Sequence, residues 1–178
     1  VVIGLMIKTQ FPWILKNPML AGAMLIVTGI MLVILGKLPP RHGEYRGMTL
    51  ISAFAIGCFQ AFAILPGISR SGSTILGGRL MGLKTDDSVT FSFLLAIPAI
   101  LGATVLEVKD LVEDIQAGET LDYPISELAI GAVVAFAVGI LALKLLIGWS
   151  RQERLHWFAA WCIPAGIAVL VCCFLGWI

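Results

Sequence analysis

At 178 residues, 59% hydrophobic and 13% charged, the chain is far more apolar than a water-soluble domain, where about 45–50% and about 25% are usual. Its net charge of +1 gives no hint of nucleic-acid binding, and the distribution of charge matters more than the sum. An all-α, polytopic integral membrane protein is expected, a single membrane domain over residues 1–178 with about four spanning helices and one re-entrant helix pair.

Residues 1–7 open without an initiator Met and read as the end of an earlier spanning helix. Residues 8–17, with Phe11 and Trp13, form an amphipathic connector suited to the headgroup region. Residues 18–38 are predicted to span: they carry no charge until Lys37, Pro18 suits a first helical turn, and Gly22 and Gly29 allow close helix contacts. The loop 37–47 sets Lys37, Arg41 and Arg46 against Glu44 alone, which places it on the cytoplasmic side.

The stretch that follows, 50–83, is built differently. Residues 50–65 reach about 24 Å as a helix and residues 75–83 only about 14 Å, both short of a hydrocarbon core of about 30 Å. Between them lies Pro66-Gly67-Ile68-Ser69-Arg70-Ser71-Gly72-Ser73-Thr74, a hydroxyl-rich turn with one arginine. Two short apolar segments meeting at a polar turn read as a re-entrant pair whose tip is held at bilayer depth, with a buried guanidinium at Arg70. Ser71, Ser73 or Thr74 can cap or open the second half-helix, whose free N–H groups and dipole favour an anion. Arg70 adds a planar donor fork that matches phosphate oxygens. The turn thus reads as a phosphate or diphosphate cradle; the competing reading has the serines capping a helix while Arg70 snorkels to the interface. Gly77-Gly78 allows close packing of the second half-helix, and Arg79 and Lys84 lie toward its exit.

Asp87 or Ser88 is the expected N-cap of the next spanning helix, 88–106, which Pro98 should kink. The connection 107–127 holds seven of the eleven acidic residues and is placed outside. It reads as a solvated loop rather than a metal site, for want of tight ligand spacing. Residues 128–147 span again, with Lys144 near the cytoplasmic end. Residues 149–154 make a short basic turn inside, and a last helix, 157–178, ends outside after the interfacial aromatics Trp157, Phe158 and Trp161. His156 reads as an interfacial residue. Cys58, Cys162, Cys172 and Cys173 sit in apolar runs without ligand spacing and read as packing residues.

Gly57-Cys58-Phe59-Gln60-Ala61, the polar turn with Ile75, and Phe91-Ser92-Phe93-Leu94-Leu95-Ala96-Ile97-Pro98 together resemble the undecaprenyl-diphosphate phosphatases of the BacA/UppP type. The likeness runs over essentially the whole chain but covers the later part of a typical member. Such proteins carry a second polar loop, with paired glutamates and a Ser-Ser-Thr-Gly-His stretch, that does not occur in these 178 residues. The resemblance implies an inverted-repeat plan, with 1–49 the end of the first repeat and its loop, and 50–178 the second repeat. It implies a bacterial inner-membrane hydrolase that converts undecaprenyl diphosphate to the monophosphate carrier and inorganic phosphate. Mg²⁺ or Ca²⁺ would be the cofactor, its ligands expected outside this chain, and a homodimer is allowed for. Arg70, Ser69, Ser71 and Thr74 are the candidate catalytic residues; Pro66, Gly67, Gly72, Ser73 and Gln60 are the candidate substrate-binding residues. Gln60 reads equally as a lining group or a helix–helix hydrogen bond. Thr90 stands where relatives often carry a carboxylate. No activating histidine or carboxylate accompanies the serines, so little or no phosphatase activity is expected of the chain alone. A lipid-phosphate flippase and a purely structural membrane subunit are the rival readings.

Overall fold

The computed structural model describes residue 10 and residues 12–116, 125–151 and 154–176. After a single helical turn, Pro12–Leu15, six helices follow: α1 Pro18–Lys37, α2 Leu50–Phe62, α3 Arg70–Leu80, α4 Thr85–Gln116, α5 Ile125–Arg151 and α6 Ala159–Phe174. Short 3₁₀ segments cover Tyr45–Gly47 and Arg154–Phe158. The expected stub 1–7 and Phe11 of the connector lie outside the described residues.

Among the described residues, four stretches are long and apolar enough to cross a bilayer: Pro18–Lys37, Thr85–Glu113, Ser126–Trp149 and Arg154–Phe174. Their outer faces stay uncovered by protein; Val133 and Phe136 on α5 are 69% and 71% exposed. Apolar exposure on that scale belongs in lipid, and the chain is a multi-pass membrane protein.

α1 is the hub. It begins with Asn17 accepting Leu20 N–H at 3.2 Å and Pro18 in the first turn, where its missing donor costs nothing. α1 packs most extensively on α6, through the two glycines that the sequence marks out. A Cβ at Gly22 would lie 3.1 Å from Gly166 O, and one at Gly29 would lie 2.4 Å from Ile163 Cγ1, so the helices meet at small-residue distance. Leu32 and Leu35 of α1 join Ile75 and Leu76 of α3, Val89 of α4, and Leu155 and Ala159 in one buried cluster. α2 and α3 fold back on one another, with Phe59 against Gly77, while Ser88 of α4 lies against Gly78.

Several boundaries differ from the sequence expectation. α4 begins at Thr85, so Asp87 and Ser88 lie in its first turn rather than at its cap. Ser88 Oγ donates to Lys84 O at 3.0 Å, and Asp86 and Asp87 complement the positive end of the helix dipole. Asp87 lies 3.0 Å from Lys84 Nζ, and that hydrogen bond raises the Lys84 pKa. α4 then runs on to Gln116, so residues 107–116 of the acidic connection are helical; Lys109 and Glu113, 3.2 Å apart one turn on, suit that helix. Residues 117–124 lie outside the described residues. Likewise, 149–151 form the last turn of α5, and a 3₁₀ segment replaces the expected start of the last helix at Trp157.

The loop after α1 is clasped to the α3–α4 junction. Gly43 N donates to Gly82 O at 3.1 Å and Lys84 N to Gly43 O at 2.9 Å. Arg79, only 4% exposed, donates to Leu38 O at 3.3 Å, Pro39 O at 2.9 Å and Leu83 O at 3.3 Å. It gathers carbonyls of the loop just after α1 and of the turn between α3 and α4, where no helical donor follows. Arg79→Ala, which orphans them, is expected to lower stability by about 2–4 kcal/mol, with lysine a poor substitute because one ammonium cannot span three acceptors. Thermal unfolding in detergent reads this, and an unchanged midpoint would contradict the clasp.

Candidate functional site

The segment joining α2 to α3 turns among apolar helices, so each of its backbone N–H and C=O groups needs a partner. Ile68 N donates to Leu65 O at 3.2 Å, with Pro66 and Gly67 between them and Gly67 at φ +90°. Proline at the first central position and a left-handed glycine at the second are what a type II turn requires. Gly67 is also pressed against α1: a Cβ would lie 2.1 Å from Ala21 O and 2.9 Å from Leu25 N. The close approach that this glycine permits is therefore to protein backbone.

Thr28, buried within α1, completes the docking. Its Oγ1 donates to Gly67 O at 2.8 Å and accepts from Ser69 N at 3.0 Å. Sequence reasoning missed it, although a lone hydroxyl in the uncharged run 18–36 was the available signal.

Ser69 is the N-cap of α3, accepting Gly72 N–H on its side chain at 3.1 Å. The cap thus falls two residues before Ser71, because the helix opens at Arg70 and Ser71–Thr74 make up its first turn. A Cβ at Gly72 would crowd Ser69 Oγ at 3.1 Å, so this glycine protects the cap. Ser73 and Thr74 are buried. Ser73 Oγ donates to Ser69 O at 2.9 Å, while Thr74 Oγ1 donates to Arg70 O at 3.0 Å and shares a hydrogen bond with Ser92 Oγ of α4. Both hydroxyls are committed to holding α3 in place.

What remains at the open end is compact. The N–H groups of Arg70 and Ser71 are the first two of the helix and have no acceptor inside it, and they carry the positive end of the α3 dipole. Ser71 is partly exposed and Arg70 exposed, so the guanidinium is not buried by this chain. As the first helical residue, Arg70 sits at the rim of α3, on an open cleft of about 360 Å³ that it shares with Ile100, Ala103, Thr104 and Glu107 of α4.

Gln60 donates Nε2 to Leu95 O at 3.4 Å, which makes it a helix–helix contact beside the carbonyl that Pro98 leaves without a helical donor. Thr90 donates to Asp86 O at 2.8 Å on an exposed helix face. His156 packs on Gly36 and lines a small cavity with Arg79, at the opposite end of α3 from Arg70. The four cysteines are unpaired thiols. Among the described residues, no group of three or more His, Cys, Asp or Glu side chains converges on a metal position.

The family model described as bacitracin resistance protein BacA matches residues 1–168. The chain belongs to the BacA family. It is 72% identical over 171 residues to an undecaprenyl-diphosphatase of Rhodopirellula baltica, covering 96% of this chain and 65% of that relative. An undecaprenyl-diphosphatase of Alkaliphilus metalliredigens is 37% identical, with 96% and 60% covered, and one of Corynebacterium glutamicum is 34% identical, with 99% and 59% covered. The chain spans about three-fifths of the length of these curated relatives.

The turn's docking in this BacA-family chain makes a sharp demand on Gly67. Gly67→Ala combines a left-handed backbone with a clash against Ala21 O, and is expected to cost about 2–4 kcal/mol, seen as a lowered thermal midpoint. A variant as stable as the parent would mean that the turn does not rest on α1.

Proposed function

We propose that this chain supplies the headgroup-holding part of an undecaprenyl diphosphatase, which hydrolyses undecaprenyl diphosphate to undecaprenyl phosphate and inorganic phosphate. The observation that carries the reading is the open first turn of α3, with the Arg70 guanidinium beside two free N–H groups. The names of the relatives favour hydrolysis over a lipid-phosphate flippase.

In this reading the terminal phosphate sits on the N–H groups of Arg70 and Ser71 and the Ser71 hydroxyl, with the Arg70 fork across two oxygens. Water attacks the terminal phosphorus, and the bond to the bridging oxygen breaks, leaving the lipid monophosphate. Catalysis of such a transfer is mainly positioning and charge stabilisation, and Arg70 neutralises charge on the equatorial oxygens. Ser69, Gly72, Ser73 and Thr74 act by fixing the helix end; Pro66 and Gly67 fix the turn that leads into it. Gln60 ties α2 to α4 beside the site. The apolar faces of the helices suit the prenyl tail, and none of these side chains is an activated nucleophile or general base.

A divalent cation, Mg²⁺ or Ca²⁺, is part of what the family likeness implies. The described residues do not fit one: the Arg70 cleft holds a single carboxylate, Glu107.

The depth of the turn supports a re-entrant α2–α3 pair. At 13 and 11 residues, the two helices reach only about 20 Å and about 16 Å. Their tip meets α1 at Thr28, near its middle, and at Ala21 and Leu25, beyond the midpoint when measured from Lys37. With the basic loop 37–47 on the cytoplasmic side of the inner membrane, the open end of α3 faces away from the cytoplasm, and the C-terminus lies outside. The packing of α1 against 50–178 suits an end of one repeat clasped by the next.

Arg70→Ala in the full-length protein is expected to cut phosphate release from the lipid diphosphate by about 10³-fold, with Arg70→Lys intermediate because the bidentate fork is lost. Hydrolysis at the parental rate in Arg70→Ala would refute the assignment.

A further inference from the structure

We propose that Thr28 is a positioning residue for the headgroup site: from the middle of α1 its single hydroxyl sets the attitude of the turn, and so the direction in which the open end of α3 points. The inference rests on the reading of that end as a diphosphate site.

The hydroxyl spans the turn. It gives its proton to Gly67 O at 2.8 Å and takes the Ser69 N–H at 3.0 Å, gripping residue 68 from both sides. Thr28 is 2% exposed, and its β-branched side chain has little rotameric freedom in a helix. Ser69, held by its N–H, in turn caps Gly72 N at 3.1 Å with its side chain and accepts Ser73 N at 2.9 Å on its carbonyl. The chain of contacts runs Thr28, Ser69, first turn of α3. Tilting Ser69 therefore re-aims the N–H groups of Arg70 and Ser71 together. Gly67, wedged against Ala21 and Leu25, restrains the turn's distance from α1, while the directional bond it makes there is the one its carbonyl accepts from Thr28.

Valine has nearly the shape of threonine and removes both hydrogen bonds, leaving a buried carbonyl and N–H unpaired; serine keeps both. In the full-length protein, assayed with a short-chain prenyl diphosphate in detergent, Thr28→Val is expected to raise the KM or Kd by about tenfold or more, and Thr28→Ser by less than about threefold. A residue that only stabilised the fold would reduce the amount of active protein and leave the KM of the surviving fraction unchanged. Parental KM in Thr28→Val, or a serine variant no better than the valine one, overturns the proposal. Arg70→Ala, run alongside, separates the two levels. If it binds the diphosphate normally, the site reading fails and takes this inference with it. If it fails to bind while Thr28→Val binds as the parent does, only the role of Thr28 is lost.

Discussion

A turn that reverses the chain among apolar helices needs partners for its backbone groups, and here that constraint is met by docking on a neighbouring helix. The Thr28 hydroxyl accepts from the Ser69 N–H and donates to Gly67 O, and Gly67 permits the contact by having no side chain. With those groups satisfied, the first turn of α3 can leave its own leading N–H groups open. An open pair of donors at the positive end of a helix, beside a guanidinium, suits an anion. The phosphate reading thus follows from what the turn satisfies internally and what it leaves over.

The same logic explains the division of labour within the hydroxyl-rich motif. Ser69 caps; Ser73 and Thr74 are spent on backbone carbonyls and on Ser92. A row of serines looks like a row of ligands, yet a helix uses its members differently: residues on its inner face bond back to the preceding turn, and those at its leading rim are left more open. Only Ser71 and Arg70 occupy the rim. At the far end of α3, Arg79 performs the complementary task, collecting two carbonyls just after α1 and one from the turn into α4. The helix is held at both ends by hydrogen bonds to the same partner, α1 and its exit loop.

Much of this was legible in the sequence, for identifiable reasons. Long uncharged runs gave the spanning helices, and Gly22 and Gly29 marked the face of α1 that meets α6. The short apolar runs around the polar motif gave two helices too brief to span, and Pro66-Gly67 gave the turn. What was not legible depends on three-dimensional partners. Thr28 lies about forty residues before the turn it holds, and no local pattern ties the two. The start of α4 shifted because Lys84, Asp87 and Ser88 stabilise one another across a single turn, and its end shifted because acidic residues read as loop are spaced to suit a helix. Arg70, expected to be buried, is exposed on the chain's own surface because the first residue of a helix projects past its end.

The central claim is that a lipid-borne diphosphate occupies the open end of α3. Its most direct test is chemical protection of that end: Ser71→Cys in the full-length protein, with the native cysteines replaced, labelled by a membrane-impermeant thiol reagent. A prenyl diphosphate should suppress labelling where the corresponding prenyl alcohol does not. Equal labelling with and without the diphosphate would contradict the account.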